Sequence, residues 1–406
     1  MSIRPTDEPQ LDPLARCSEC LTGLPTSPLT EALKSERLYH PIERSPLFNL
    51  TSERRLAKLL LCTPKELRRA LRLTDSERFR VRLHTEMRKI YDPARKELVN
   101  KPKRPRKLQI PTGIMEAIHR RLYKFLNRIE KPDYLHSGVK ARSYVSSAKK
   151  HCGSATLAKA DIKNFFPSVR RVDIYNFFVG RMKCASDIAG RIANLCTFEG
   201  HLPTGSSISQ ILAFWTFKPL FDEIFTLASA CGLKMTLYVD DIVVSGKNAG
   251  RWFLFRIRRV SGNHGLRVHK LRAWTGGIGQ ATGVVVAGPD LRLPNLRRLI
   301  IREELRYLHV LREKAGLRAL QKRERVLRRL IGRCWEAGQF DVRHRTVSLL
   351  MRLVPLLPEY GVVAKVLALK ARGRGRGRMP ALARDAVHGR RGPELTGRRR
   401  CRLAGA

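Results

Sequence analysis

Hydrophobic and polar positions recur along this chain with two different periods. Apolar side chains at helical spacing mark one face of residues 114–129 and of the heavily basic segment 296–353. Strand-like patterns cover residues 155–162 and 265–287, whereas residues 1–50 lack a clear period and predict a loosely structured N-terminal extension. These patterns predict a chain that contains both helices and strands.

Two acidic residues interrupt the best strand-like segment, LYVDDIVVSG at residues 237–246. Aspartate is unfavourable inside a strand but is tolerated in tight turns, so the segment predicts a hairpin with Asp240 and Asp241 at its tip. A plain acidic turn is the simplest interpretation. However, two like charges this close raise each other's pKa unless a cation lies between them, and their oxygens suit Mg²⁺.

A third carboxylate precedes this hairpin in the segment AKADIKNFFPSV at residues 158–169. The alternation predicts that Asp161 ends a strand before a helix that begins near Pro167. Asp161 or Asn164 could instead cap that helix locally. If neighbouring strands of one sheet bring Asp161 to the hairpin tip, three carboxylates form a Mg²⁺ site suited to two-metal phosphoryl transfer.

The charge of the chain favours a polyanionic partner. Its 406 residues include 80 Lys and Arg against 35 Asp and Glu, giving a formal net charge of +45. This excess indicates nucleic acid above all. Membrane binding is the weaker interpretation, since no apolar run approaches the roughly 20 residues that span a bilayer.

Cysteine content and the N-terminus indicate a cytoplasmic protein. The start, MSIRPTDEPQLDPL, has no apolar signal core, and the nine cysteines are scattered. Only Cys17 and Cys20 have metal-like spacing, whereas a structural zinc site needs four ligands. We therefore expect reduced thiols and no zinc site.

Three motifs occur in the order found in reverse transcriptases. DIKNFFPS at 161–168 resembles the family's first catalytic motif, and YVDDIVVSG at 238–246 resembles the second. Between them, LPTGSSISQ at 202–210 resembles the Leu-Pro-Gln-Gly…Ser-Pro motif.

Further segments narrow the resemblance to bacterial retron-type enzymes. RKLQIP at 106–111 resembles the fingers motif whose arginine approaches the triphosphate. SAKKH at 147–151 resembles the retron Asn-Ala-x-x-His motif, and ATG at 281–283 resembles the retron Val-Thr-Gly. The chain thus resembles a bacterial retron-type reverse transcriptase from about Tyr91 to Gly288.

The resemblance implies a right-hand polymerase with fingers, an α+β palm whose antiparallel sheet carries the catalytic aspartates, and an α-helical thumb. The expected domains are a partly helical N-terminal extension at 1–80, fingers and palm at 81–290, and the thumb at 291–360. The Arg/Gly-rich segment 361–406 cannot bury a core, so we expect a disordered basic tail there.

The resemblance also assigns roles to matching positions. Asp161, Asp240 and Asp241 would be catalytic and, together with Ile162, would bind two Mg²⁺ ions. Phe166 would stack under the deoxyribose and exclude a ribose 2′-hydroxyl, although core packing is the simpler interpretation. The remaining substrate-binding positions would be Arg106, Thr204, Gly205, Ser206, Lys270 and Arg272.

Several positions depart from the family pattern. Thr204 replaces the usual Gln, which leaves one nucleotide contact in question, and Arg272 takes the expected Lys position, with Lys270 two residues earlier. Either cation could lie near the pyrophosphate. The other departures are Ser147 for Asn, Gln210 for Pro, Val239 for Ala and Ala281 for Val.

The expected activity is that of an RNA-directed DNA polymerase in a retron-like antiphage defence system. Its partners would be a structured non-coding RNA as template and primer, deoxynucleotides and an RNA–DNA hybrid, with a separate effector protein left open. The alternatives are another bacterial defence-associated or group II intron-like reverse transcriptase, or a catalytically inactive scaffold that binds RNA.

Overall fold

A computed structural model describes residues 39–92, 97–312 and 317–340. The predictions for Cys17 and Cys20, for the far end of the thumb and for the basic tail at 361–406 lie outside these ranges. The described residues fall into two compact units. One comprises the described residues up to Arg82 with Leu108–Pro132 and Asn164–Lys218, and the other comprises Leu83–Lys107, Asp133–Lys163 and the described residues from Pro219 onward.

The first unit is mainly helical. Its helices are Glu53–Leu60, Pro64–Arg72, Asp75–Arg78, Ile114–Asn127, Phe165–Ser168, Arg171–Gly180, Ser186–Leu195 and Ser209–Thr216, with a 3-10 helix at Ile42–Arg44. Leu47 and Leu50 are fully buried. The expected loose extension over residues 1–50 is therefore wrong for 39–50, because apolar side chains without a regular period can still be buried.

The second unit is built around a four-stranded antiparallel sheet. The strand order is β6–β7–β5–β8, with β5 Leu157–Ile162, β6 Lys234–Tyr238, β7 Asp241–Ser245 and β8 Val268–Trp274. A three-stranded sheet follows, made of β9 Ile278–Ala281, β10 Val284–Ala287 and β11 Asp290–Arg292. Leu157 and Val243 of the large sheet share a buried cluster with Ala281 and Val284 of the small one.

Earlier strands form two further pairs. β2 Met87–Asp92 pairs antiparallel with β3 Glu97–Pro102, and β1 Phe79–His84 pairs with β4 Arg106–Pro111. The helices of the second unit are Tyr144–Lys149, Lys218–Ala230, Arg251–Asn263, Asn295–Arg312 and Leu317–Ala337. The last two bury a common apolar core that includes Ile301, Leu311 and Leu330.

The α+β class and an antiparallel sheet that carries catalytic-motif aspartates are thus confirmed. The predicted helix over 296–353 is present as two helices up to Ala337. No helix in the described part of the chain is both long and apolar enough to cross a membrane. The domain bounds at 80, 290 and 360 stay predictions.

Candidate active site

Asp161 and Asp241 lie directly opposite each other on neighbouring strands. β5 runs antiparallel to β7, and their register pairs Asp161 with Asp241. Side chains paired in this way point to the same face of the sheet and have Cβ atoms about 5 Å apart. Strand pairing therefore brings the two carboxylates together, as the sequence predicts.

Asp240 occupies the tight turn between β6 and β7. The turn consists of Val239 and Asp240 alone, and Val239 has a left-handed φ of 61°, which is unfavourable for a β-branched residue. The Val239 amide donates to Ser137 Oγ (2.9 Å), and the Ile162 amide donates to the Asp240 carbonyl oxygen (3.1 Å). The second bond holds the turn against the end of β5, and because the Ile162 side chain is buried, only its backbone is available to the site.

Basic side chains of the same sheet contact two of the three carboxylates. Lys159 Nζ donates to Asp241 Oδ2 at 2.7 Å. Lys270 Nζ donates to Asp161 Oδ2 at 3.0 Å, and His269 Nε2 lies 2.5 Å from Asp161 Oδ1. The chain itself therefore offsets part of the negative charge of the site.

A β-bulge directs Lys270 towards the acids. The register between β5 and β8 shifts between Lys159 and Asp161, and Lys270 has a left-handed φ of 51°. Bulges commonly change the direction of one side chain in this way. Arg272 instead pairs opposite Lys159, and its exposed side chain lines a cavity beside the helix Arg251–Asn263. Of the two candidate cations, Lys270 is the one that contacts a carboxylate.

Burial and mutual repulsion shape the electrostatics of the acids. Burial first, and then the charges of Asp161 and Asp241, raise the pKa of Asp240 to about 6. Burial also raises the pKa of Asp241, while Lys159 acts in the opposite direction. A cation placed among the three carboxylates would favour their ionised forms.

The donor set is chemically suited to a hard divalent ion. Asp241 Oδ1 is buried without a hydrogen-bond partner, and carboxylate oxygens are the ligands that Mg²⁺ prefers. Within the described ranges, no three Asp, Glu, His or Cys side chains already converge as a metal-binding group. Lys159 and Lys270 contact oxygens that a metal ion would otherwise take.

His151, the last residue of the SAKKH segment, anchors the hairpin from within the protein. Its Nδ1 lies 2.7 Å from Ser245 Oγ and its Nε2 lies 2.8 Å from Thr236 Oγ1, which also contacts Ser147 Oγ at 2.9 Å. The imidazole is fully buried, and burial lowers the pKa of His151 to about 3. One neutral ring thus connects β6 and β7; we call these four residues the His151 network.

The ATG segment contacts the same short helix that carries Ser147. Thr282 Oγ1 donates to the Tyr144 carbonyl oxygen at 2.8 Å. The Tyr144 hydroxyl donates to Glu336 Oε1 at 2.7 Å, and Arg297 Nη1 donates to that oxygen at 2.5 Å. The two retron-like segments and the C-terminal helices therefore meet at the helix Tyr144–Lys149.

In the first unit, the LPTGSSISQ turn packs against the RKLQIP strand. Gln109 Oε1 accepts hydrogen bonds from the Thr204 amide (2.9 Å) and from Thr204 Oγ1 (2.8 Å). A Cβ atom added at Gly205 would lie 2.7 Å from the Gln109 carbonyl oxygen. Ser206 Oγ lies 2.6 Å from Nδ1 of the buried His119. The Thr204 hydroxyl, at the position where the family usually has Gln, is thus hydrogen-bonded to Gln109 within the fold.

Phe166 is half-buried, whereas its neighbour Phe165 is packed into the core. Asn164 has a left-handed φ of 50° and makes no side-chain capping hydrogen bond, so the simple capping interpretation fails for it. Arg106 begins β4 with an exposed side chain. Phe166 and Arg106 both present surface that a ligand can reach, and their roles stay predictions.

The comparisons with known proteins agree with the motifs. No family model matches the chain. Retron Se72 reverse transcriptase from Salmonella heidelberg (strain 579083-10) is 27% identical over 146 residues, 36% of this chain and 38% of that protein. Retron Ec48 reverse transcriptase from Escherichia coli is 32% identical over 143 residues, 34% of this chain and 35% of that protein. The chain is a homologue of retron reverse transcriptases.

The retron homology is partial. Retron Ec86 reverse transcriptase from Escherichia coli is 25% identical over 163 residues, 38% of this chain and 50% of that protein. The chain thus spans about a third to a half of the length of these curated relatives. The resemblance to retron-type enzymes is confirmed for this portion.

Solved structures of polymerases are similar to parts of this chain. Telomerase from Candida tropicalis, truncated from its C-terminal domain, has a TM-score of 0.39 and 10% identity, covering 55% of this chain and 56% of that one. The RNA-dependent RNA polymerase of BmCPV at elongation state has a TM-score of 0.37 and 12% identity, covering 59% and 24%.

Sequence reasoning missed several residues that contact the site. Lys159 lies two positions before Asp161, so strand alternation alone places both side chains on one face of the sheet. His269 precedes Lys270, but its contact with Asp161 depends on the register between β5 and β8. Thr236 and Gln109 gave no local signal, because each contacts a motif far away in sequence.

Proposed function

We propose that this protein is an RNA-directed DNA polymerase that adds deoxynucleotides to a primer end. The homologous retron reverse transcriptases support this function. The observation that carries it is the cross-strand pairing of Asp161 with Asp241, with Asp240 in the adjoining turn. Like charges placed opposite each other destabilise a sheet, so their position is better explained by ligand binding than by folding.

Asp161, Asp240 and Asp241 would hold two Mg²⁺ ions, beside the backbone of Ile162. When bound, such ions lower the pKa of the attacking primer hydroxyl and stabilise charge on the leaving pyrophosphate. Lys159 and Lys270 favour the ionised carboxylates before the ions bind. The Lys270 side chain is 63% exposed, so it can leave Asp161 and contact a pyrophosphate group.

The other substrate roles rest on the motifs. Phe166 would exclude a 2′-hydroxyl by its bulk, and Arg106 would bind the triphosphate through paired hydrogen bonds. Gly205 and Ser206 would line the templating pocket, next to Thr204. Arg272 lies on the same strand as Lys270, opposite Lys159, and is the other candidate cation near the pyrophosphate.

The template would be a structured non-coding RNA, and the setting a retron-like antiphage system in the bacterial cytoplasm. Two observations support an RNA partner: the similar proteins are named reverse transcriptases, and the chain has 80 basic residues against 35 acidic ones. An RNA–DNA hybrid and deoxynucleotides would occupy the protein during synthesis, and a separate effector protein would be a further partner.

One observation favours a second function, that of a catalytically inactive RNA-binding scaffold. Both carboxylate oxygens of Asp161 are engaged, one by His269 and the other by Lys270. A scaffold would retain these contacts permanently, whereas a polymerase must exchange them for metal ions.

Primer extension decides between the two functions. Asp240→Asn should lower Mg²⁺-dependent extension by more than about 100-fold, because a metal ligand is lost, and should leave the circular dichroism spectrum unchanged. The matched control is Asp187→Asn, whose side chain is 59% exposed on another helix. Extension by folded Asp240→Asn at the wild-type rate would contradict the proposed site, and an inactive wild type that still binds RNA would support the scaffold.

A further inference from the structure

The helix Arg251–Asn263 exposes large aromatic side chains as well as arginines. Its inner face buries Phe253, Leu254 and Ile257. On its outer face, Phe255 is 63% exposed and Trp252 is 44% exposed. Trp252 packs edge-on against Phe253 and donates to the Asn248 carbonyl oxygen, whereas Phe255 remains mostly exposed, so burial of the helix does not account for the Phe255 ring.

A cavity of about 490 Å³ opens beside Phe255, between this helix and β8. Its walls include Arg251 and Phe255 from the helix, and Arg272 and Trp274 from the strand. β8 is an edge strand of the four-stranded sheet, so this side of it is not covered by a further strand of that sheet. We call these four residues the Phe255 surface.

The segment of sequence that carries the Phe255 surface has basic charged side chains only. Between Asp241 and Asp290 the sequence contains eight Lys and Arg residues and no Asp or Glu. Glu223 approaches from the helix Lys218–Ala230 and lies 3.0 Å from His264, just beyond the end of the arginine-rich helix. Closely spaced arginines without acidic partners favour a polyanionic ligand.

We propose that the Phe255 surface binds single-stranded RNA outside the catalytic centre. A base would stack on Phe255, and Arg251 and Arg272 would contact phosphates, the combination by which proteins bind single strands, while Trp274 packs against the buried cluster between the two sheets and closes the cavity from behind. Beside it, the Arg256 guanidinium lies 5.8 Å from the centre of the Trp252 ring, so this face already supports cation–π contact. A protein partner would need a strongly acidic segment that also fills an aromatic-lined cavity.

This inference rests on the proposed function, in which a structured RNA is the template. Such an RNA has segments that are not being copied while another segment occupies the catalytic centre. The Phe255 surface lies on the helix and strand that follow the catalytic hairpin in sequence, so it would hold a non-copied segment on the same unit as the aspartates.

Binding of a second RNA to protein whose catalytic centre is already occupied tests the proposal. The full chain is first saturated with a preformed primer–template, and the affinity for a short, labelled, unstructured RNA is then measured. Phe255→Ala should weaken this second binding by roughly 5- to 150-fold, the loss expected for one stacked base. Phe255→Tyr keeps a stacking ring and should retain affinity. Phe225→Ala, which removes a 38% exposed ring from another helix, is the matched control.

Ultraviolet crosslinking should place the bound RNA on the peptide that contains Phe255. Unchanged affinity of folded Phe255→Ala, or crosslinks confined to other segments, would overturn the proposal. A changed molar mass of Phe255→Ala with unchanged RNA affinity would instead identify a contact between copies of the chain, which also overturns it. Extension of the saturating primer–template should be unaffected by Phe255→Ala. If the wild type itself does not extend the primer, the proposed function fails, and this result is distinct from a failure of the RNA-binding proposal.

Discussion

Replacing His151 tests whether the hairpin that carries Asp240 is held by a neutral, buried imidazole. His151→Leu removes the bonds at 2.7 and 2.8 Å to Ser245 and Thr236, while each hydroxyl keeps one other partner. Two lost hydrogen bonds and partly unsatisfied hydroxyls predict a decrease of about 2–4 kcal/mol in the free energy of unfolding near pH 7.5.

The effect should shrink in acid. His151 has an ordinary pKa of 6.5 when unfolded and about 3 when folded. Between these values the unfolded state binds more protons, so the wild type loses stability as the pH falls from about 6.5 towards 3. At about pH 5 this loss amounts to about 2 kcal/mol, and His151→Leu does not share it. The stability gap between wild type and variant should therefore narrow by about 2 kcal/mol.

Urea unfolding followed by circular dichroism at the two pH values measures the gap. Ser147→Ala is the matched control, because it removes the 2.9 Å bond to Thr236 without removing an ionisable group. Its cost should be the same at both pH values. A gap between wild type and His151→Leu that stays constant with pH would refute the neutral, buried state of His151.

One further substitution tests a predicted substrate contact, and another tests a close approach between two segments of the fold. Phe166→Ala should raise incorporation of ribonucleotides relative to deoxynucleotides, and an unchanged ratio in primer extension would reduce Phe166 to a packing role. Gly205→Ala should lower the free energy of unfolding by about 1–3 kcal/mol, since its Cβ would lie 2.7 Å from the Gln109 carbonyl oxygen. The matched control is Gly190→Ala, inside a helix, where an added Cβ atom has no other atom within 4 Å. It should stabilise the protein by about 0.5–1 kcal/mol.

Local patterns in the sequence determined which segments are strands and where the acids fall on them. Tyr238 and Val243 favour strands, and the two aspartates between them favour a turn, so the hairpin follows from neighbouring residues alone. Asp161 at the end of an alternating segment is likewise a local feature. These preferences depend on residues that are close together in the sequence, so they can be read before the tertiary structure is known.

The tertiary structure decided which basic side chain contacts which carboxylate. The pairing of Asp161 with Asp241 depends on the register between two strands that lie about 80 residues apart, and the position of Lys270 depends on a bulge in a third strand. The His151 network joins a short helix to both strands of the hairpin, and the exposure of Phe255 depends on what covers its helix. Such contacts arise only when distant segments pack, because register and packing are fixed by the sum of many weak interactions across the sheet rather than by any one residue's neighbours.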